Sequence, residues 1–289
     1  MTMKKTLLFI MTMLVISLFP SCKEKNAPNE PEQQQTGTFT VSRTKQVRFS
    51  QGNLQYQAST DTWRFAENQW DVIGDANSNI SSTYSGWIDL FGWGTGNNPA
   101  NTSDNYTYYT FVDWGTNAIS NGGNAANQWR TLTKNEWYYL FCSRPNASEL
   151  FGFGRVNGEN GTIILPDGWR TPADVAFYAS TTEGMHYDGE GYYENPNDDN
   201  FSHNNYIGEE WSVMEEAGAV FLPATGCRGR GIDVDMYVWD IGSAGYYWSA
   251  TPEDIYMAYG VSFSKSHLNL LHPFGNAYGL SVRLVQDVK

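Results

Sequence analysis

The sequence predicts an α+β fold of short antiparallel strands, two helices and long connecting loops. Three observations lead there. Beyond the first twenty residues the 289-residue chain has no long Leu-rich stretch of helical period. Runs of alternating apolar and polar residues recur near both ends. Two short segments carry the start and stop signals of helices. The length suits one large domain or two small ones. The folded part reads as one domain, residues 38–289.

The N-terminus reads as a targeting segment. "MTMKK" supplies positive charge, and "TLLFIMTMLVISLF" is an apolar run too short for a comfortable membrane span. The run ends in "FPSC" at Cys22. A small residue before such a cysteine resembles the lipobox of bacterial lipoproteins, so residues 1–22 are expected to be a lipoprotein signal peptide, with Cys22 acylated. Phe19 and Pro20 depart from the usual lipobox, which leaves a plain signal peptide as the alternative. Lys23, Glu24 and Lys25 resemble the export signal that sends lipoproteins of the Bacteroidetes to the cell surface. Residues 23–37, "KEKNAPNEPEQQQTG", are polar and read as a flexible tether. A lipid and a tether hold a domain at a membrane without spanning it.

Residues 38–66 read as an antiparallel meander. Val47 and Phe49 alternate with polar neighbours, "GN" at 52–53 breaks the run, Leu54 and Tyr56 resume it, and "TWRFAE" follows the turn "STD". Residues 67–128 lack periodicity. Trp87, Phe91, Trp93 and Trp114 recur there among glycines and asparagines. So long a stretch is either functional or disordered, and its aromatic content argues against disorder.

A helix is expected over 134–142. Thr133 and Glu136 form a T-x-x-E capping box, Leu132 and Trp137 a hydrophobic staple, and Trp137, Leu140 and Phe141 share one face. Pro145 stops it. A second helix is expected over 207–217, with Ile207, Trp211 and Met214 on one stripe and Gly218 as its stop. "AVFLPATG" reads as a buried strand. "AYGVSFS" and "GLSVRLV" close the chain with period-two alternation.

The segments "QWRTLTKNEWYYLF", "AVFLPATGCRGRG", "GYYWSATP" and "GLSVRLV", in this order, resemble bacterial proteins with a C-type-lectin-like fold. The group they most resemble is a set of Bacteroidetes surface lipoproteins related to the fibrobacter major paralogous domain. Wider relatives are formylglycine-generating-enzyme folds and the variable proteins of diversity-generating retroelements. The likeness covers roughly residues 45–286. It implies paired N- and C-terminal strands, small twisted sheets flanked by two helices, and long loops that carry function. It also makes "YYWSATP" a strand entering the central sheet. Alternation then puts Tyr246 and Trp248 on one face and Tyr247 on the other, with Trp248 in the core.

The formal net charge of -13 opposes nucleic-acid binding. Cys142 and Cys227 allow one disulfide; two buried thiols are the alternative. Formylglycine-generating enzymes use a cysteine pair late in the fold, where this chain has only Cys227. His186, His203, His267 and His272 have no metal-ligand spacing. Residues 181–206 are rich in acids (Glu183, Asp188, Glu190, Glu194, Asp198 and Asp199), and oxygen-rich loops can hold calcium. The EF-hand order and the sugar-calcium triplets Glu-Pro-Asn and Gln-Pro-Asp are both missing from the sequence. No phosphate-binding or serine-nucleophile motif occurs. The expectation is a protein without enzymatic activity or cofactor, calcium being the one metal considered.

Tyr, Ser, Gly and Asn with Trp anchors make the composition of an adaptable binding surface. The reading is a monomeric lectin-like module on the outer-membrane surface. It binds a glycan or a protein, and meets the membrane only through its lipid. The residues assigned to the ligand are Trp87, Trp93, Trp114, Tyr247, His267, His272, Phe274 and Tyr278. Two alternatives stay open. One is an enzyme on a formylglycine-generating-enzyme-like scaffold, in which Cys227, a carboxylate and a deep pocket converge. The other is a structural accessory protein of an extracellular assembly, with an exposed edge strand.

Overall fold

Few of the described residues are helical, 15% against 36% in strands, so mixed sheets define the architecture. The computed structural model describes residues 37–288, apart from 106–108, 182–183, 197–198 and 232–234. The signal-peptide, acylation and tether expectations, Cys22 included, lie outside the described residues. Among the described residues no helix is long and apolar enough to cross a membrane.

The strands of the described residues form five sheets. A terminal sheet runs Phe39–Thr40, Gln46–Phe49, Leu284–Asp287, Arg130–Thr131, all antiparallel. Phe49 faces Val285 across it, so strands from the two ends of the domain pair, as expected. The largest sheet has the order Ala244–Pro252, Met257–Ser264, His267–Gly275, Tyr192–Glu194, His186–Tyr187. A third contains Asn204–Tyr206, Phe151–Val156, Glu159–Ile164 and Val220–Pro223, the first two strands being parallel. Cys227–Arg230 and Met236–Trp239 make a two-stranded ribbon. Thr62–Phe65, Leu54–Gln57 and Trp87–Ile88 complete the set.

The predicted meander over 38–66 is therefore split. Gln46–Phe49 and Leu54–Gln57 belong to different sheets. Gly52 marks the crossing, because a Cβ there would lie 2.5 Å from the Ala66 carbonyl oxygen. Only glycine lets the two chain segments approach so closely.

Helix α1 spans Lys134–Tyr138 and continues as a π-helical turn over Tyr139–Ser143. The capping box is formed: the Glu136 amide donates to Thr133 Oγ1 (3.3 Å), and the Thr133 amide donates to Glu136 Oε2 (2.9 Å). Leu132, Trp137, Leu140 and Phe141 are fully buried. Glu136 also receives both Nη atoms of Arg130 at 2.8 Å, and Arg130 reaches Asp287 at 2.7 Å. The helix start is thereby clamped to the last strand. Helix α2 spans Gly208–Glu216 and buries Trp211 and Met214. Ile207 departs from the expected stripe. It is the extended N-cap, 60% exposed, and serves the helix through its backbone: its amide donates to Glu210 and its carbonyl accepts from the Trp211 amide. The chain leaves the helix through Gly218 at φ +98°.

The aperiodic stretch 67–128 is held by side chains that replace a β-ladder. Asn121 Oδ1 accepts from the Phe65 amide (2.7 Å), and its Nδ2 donates to the Phe65 carbonyl (3.0 Å). Asn77 Oδ1 accepts from the amides of Asp89 and Leu90, while its Nδ2 donates to Asp89 Oδ1 at 2.8 Å. Asp113 accepts from the amides of Gly115 and Thr131. Asp89 is fully buried, and burial pushes its carboxyl up to about 6 against the pull of its hydrogen bonds.

The apolar residues gather in three clusters. The large sheet separates the first two. Tyr247, Val261, Phe263 and Leu268 point into the first cluster with α1, whereas Trp248 points into the second. Trp248 is core as expected, 1% exposed, its indole N–H donating to the Phe91 carbonyl (2.7 Å).

Three assigned ligand residues are core and not surface. Trp93 is buried and donates to the Ser249 carbonyl at 3.0 Å. Trp114 is fully enclosed, packed edge-on against Phe111. Tyr247 is fully enclosed as well, its hydroxyl donating to the Pro223 carbonyl (2.9 Å) and accepting from Asn53. Loops this long lack enough Leu and Ile to close a core, so the indoles do it. Cys142 and Cys227 are free thiols. The disulfide is not formed, because Cys142 packs on the first cluster and Cys227 belongs to the second.

Because the folded-state value of Asp89 is raised, its protonated form stabilises the protein below about pH 4, and that contribution is lost as pH rises through about 6. In urea unfolding, the stability advantage of wild type over Asp89→Asn is expected to shrink by roughly 3 kcal/mol from pH 4 to pH 7, at about 1.4 kcal/mol per pKa unit. A gap independent of pH would mean that the buried carboxylate ionises without penalty.

Candidate functional site

The second face of the large sheet, opposite α1, opens into a cleft of about 840 Å³. That is within the size range of small-ligand sites. Its walls are the rings of Trp239, Tyr246, Tyr256, His272, Phe274 and Tyr278. Arg230 and Asp104 add opposite charges at its edge, and the buried Cys227 contributes to its lining.

Alternation along Ala244–Pro252 is what brings Tyr246 here while Tyr247 enters the core. The Tyr246 hydroxyl donates to Asp240 Oδ2 (2.7 Å), which fixes the ring. Tyr246 meets Phe274 edge-on at 5.7 Å. Phe274 is only 7% exposed: His272 stacks on one side at 4.2 Å and Trp248 meets it edge-on at 6.0 Å. Phe274 therefore supports the cleft and offers little free face. On the opposite wall Trp239 packs against Tyr237 (5.0 Å) and, edge-on, Tyr278 (5.9 Å). Gly229 makes room for both of these rings, since a Cβ there would lie 2.7 Å from Trp239 and 3.0 Å from Tyr278.

Burial sets the electrostatics of the groups beneath the cleft. Burial pushes the Cys227 thiol well up, with Arg228 opposing, so the sulfur stays protonated and is a poor nucleophile. Burial also lowers Arg228 to about 10, which leaves it charged at neutral pH. Burial holds His272 below the ordinary imidazole value, helped by repulsion from His267. His272 is therefore neutral at pH 7, with Nδ1 3.0 Å from Ser262 Oγ.

Of the residues assigned from the sequence, His272, Phe274 and Tyr278 meet in the cleft. His267 lies on the same sheet but is not among the cleft residues. Trp87 is elsewhere, half-buried beneath the Arg64 guanidinium, whose Cζ sits 3.8 Å above the ring. The segment 87–114 does reach the cleft, through Thr102 and Asp104 and not through its tryptophans. Sequence reasoning missed Trp239, Tyr246, Tyr256 and Arg230. The available signal was the "MYVW" stretch at 236–239, whose aromatics no neighbouring apolar run explains.

Within 181–206, Glu183 and Asp198 lie outside the described residues. Asp188 turns inward on its own loop, accepting from the amides of Glu190 and Tyr192, and these bonds hold its carboxyl low. Among the described residues no three His, Cys, Asp or Glu side chains are grouped to hold a metal. Comparison with known protein families, with curated proteins and with solved structures gives no match.

Core and wall residues should respond differently to truncation. Trp93→Ala is expected to cost about 3–5 kcal/mol of folding stability. Tyr278→Ala, at a side chain 42% exposed, is expected to stay within about 0.5 kcal/mol of wild type. Urea unfolding of the two variants measures this. Equal losses would place Tyr278 in the core.

Proposed function

We propose that this chain is a surface recognition module with a C-type-lectin-like fold, that it binds carbohydrate in the cleft, and that it is held at the outer membrane by an acylated Cys22. The observation that carries the binding reading is the convergence of Trp239, Tyr246, Tyr256 and Tyr278 on one opening. Large rings held on a rigid scaffold give contact area at low entropic cost, and their faces stack on sugar rings. Arg230, Asp104 and the Tyr246–Asp240 pair supply polar groups for hydroxyls. The fold assignment is supported by the pairing of Gln46–Phe49 with Leu284–Asp287 and by the late sequence motifs. Binding is favoured over catalysis because the cysteine at the cleft is protonated and faces the Arg228 carbonyl at 3.8 Å.

The test is a glycan array probed with residues 38–288, followed by Trp239→Ala. The variant is expected to weaken binding to any hit by roughly 2 kcal/mol, as hot-spot rings do, while still unfolding in one cooperative thermal transition. A silent array would sink the carbohydrate reading. It would favour a protein ligand instead, for which the exposed Ile255 and Tyr256 beside the cleft offer an apolar rim. The anchor is tested separately. Fatty-acid label should be incorporated by the full chain and lost in Cys22→Ser, and label that survives the substitution refutes it.

A further inference from the structure

The strand His267–Gly275 carries an irregularity that the cleft alone does not explain. His267 and His272 are five residues apart, and strict alternation would send them to opposite faces. The register shows otherwise. Gly260 pairs with His272, Ser262 with Asn269 and Ser264 with His267, with a bulge in between. Residues 260, 262 and 264 share one face, so His272, Asn269 and His267 share it too. The bulge has re-aimed a side chain, which is a common use of bulges beside functional sites. Tyr192 pairs with Asn269 from the next strand and joins the same face. It is the face that bears Tyr246 and the cleft.

The two histidines are mounted alike. His272 Nδ1 lies 3.0 Å from Ser262 Oγ and its ring stacks on Phe274, 19° from parallel. His267 Nδ1 lies 2.8 Å from Ser264 Oγ and its ring stacks on Tyr192, also 19° from parallel. All four of His272, Asn269, His267 and Tyr192 are half-buried. Asn269 Oδ1 accepts from the Leu271 amide and so braces the bulge. Among the described residues, the Asn269 Nδ2 and both imidazole Nε2 atoms make no hydrogen bond. The face thus repeats one device, a serine-anchored ring stacked on an aromatic, with an unengaged amide between the copies.

We propose that this face is a second binding subsite, continuous with the cleft, and that it takes further units of a linear oligosaccharide. The inference rests on the carbohydrate reading of the cleft and adds the ligand's form. The two histidine positions are four residues apart along the sheet, about 14 Å at ~3.4 Å per residue, a span that one sugar ring does not cover. A repeated mount suits a ligand with a repeated unit. Neutral imidazole offers each hydroxyl one ring nitrogen as donor or acceptor without demanding a charge.

The probes are cello-, xylo-, manno- and galacturono-oligosaccharides of two to six units, titrated calorimetrically against the domain of residues 38–288. Affinity should rise at least tenfold from the shortest to the longest member of the series that binds. His267→Ala should remove that increment and leave affinity for the shortest member unchanged, and Tyr192→Ala should do the same. Trp239→Ala should weaken all lengths alike. Affinity that is flat with length, or a His267→Ala loss equal for short and long members, would overturn the extended subsite while leaving the cleft intact. If no series binds and the glycan array is silent too, the carbohydrate reading fails and this inference fails with it.

Discussion

A buried backbone amide without a partner costs about 1–3 kcal/mol, and a chain with so much irregular structure has many to satisfy. Side-chain amides and carboxylates solve the problem here. Asn121 mimics a neighbouring strand by bonding both backbone groups of Phe65. Asn204 does the same for Tyr178 and adds the Phe153 carbonyl. Gln69 accepts from the Phe221 amide and from Arg283, and donates to Glu215 and the Ala219 carbonyl. Remove these short polar residues and the long connections would have to leave the interior. The second cluster would then lose Trp93 and Trp114, which those connections carry inward.

This arrangement explains which parts of the fold were legible in the sequence. Helix α1 was readable because a capping box and a staple are local chemistry within five residues. Trp248 and Tyr247 were assigned to opposite faces because alternation is local too. The split of the 38–66 meander was hidden, since what separates the two strands is Ala66, fourteen residues from Gly52 in sequence. Ile207 had the right spacing for the stripe of α2 but fell one residue before the first helical turn, where spacing no longer predicts direction.

The candidate site was harder to read for a related reason. Trp93 and Trp114 have the composition expected of a ligand surface, and composition cannot say on which side of a loop an indole points. Burial decides that, and it depends on partners such as Ser249, more than a hundred residues away. His272 and Tyr278 fall within residues 265–278, which lack the strict alternation of a buried strand; Tyr278 itself lies past the strand's end at Gly275. The bulge that places His267 on the same face as His272 is itself a break in the period, and only the neighbouring strand's register reveals it.

The pairing of Phe49 with Val285 and of Arg130 with Asp287 has a temporal consequence. A strand near the beginning of the domain has only the two-residue Phe39–Thr40 beside it until residues 284–287 are available, and the start of α1 is secured by the same last strand. Contacts of such long sequence separation close large loops before they are rewarded, and they fold slowly. During synthesis the early residues must wait, incompletely folded, for the whole domain to be extruded. Such a chain is slow to commit to its final shape.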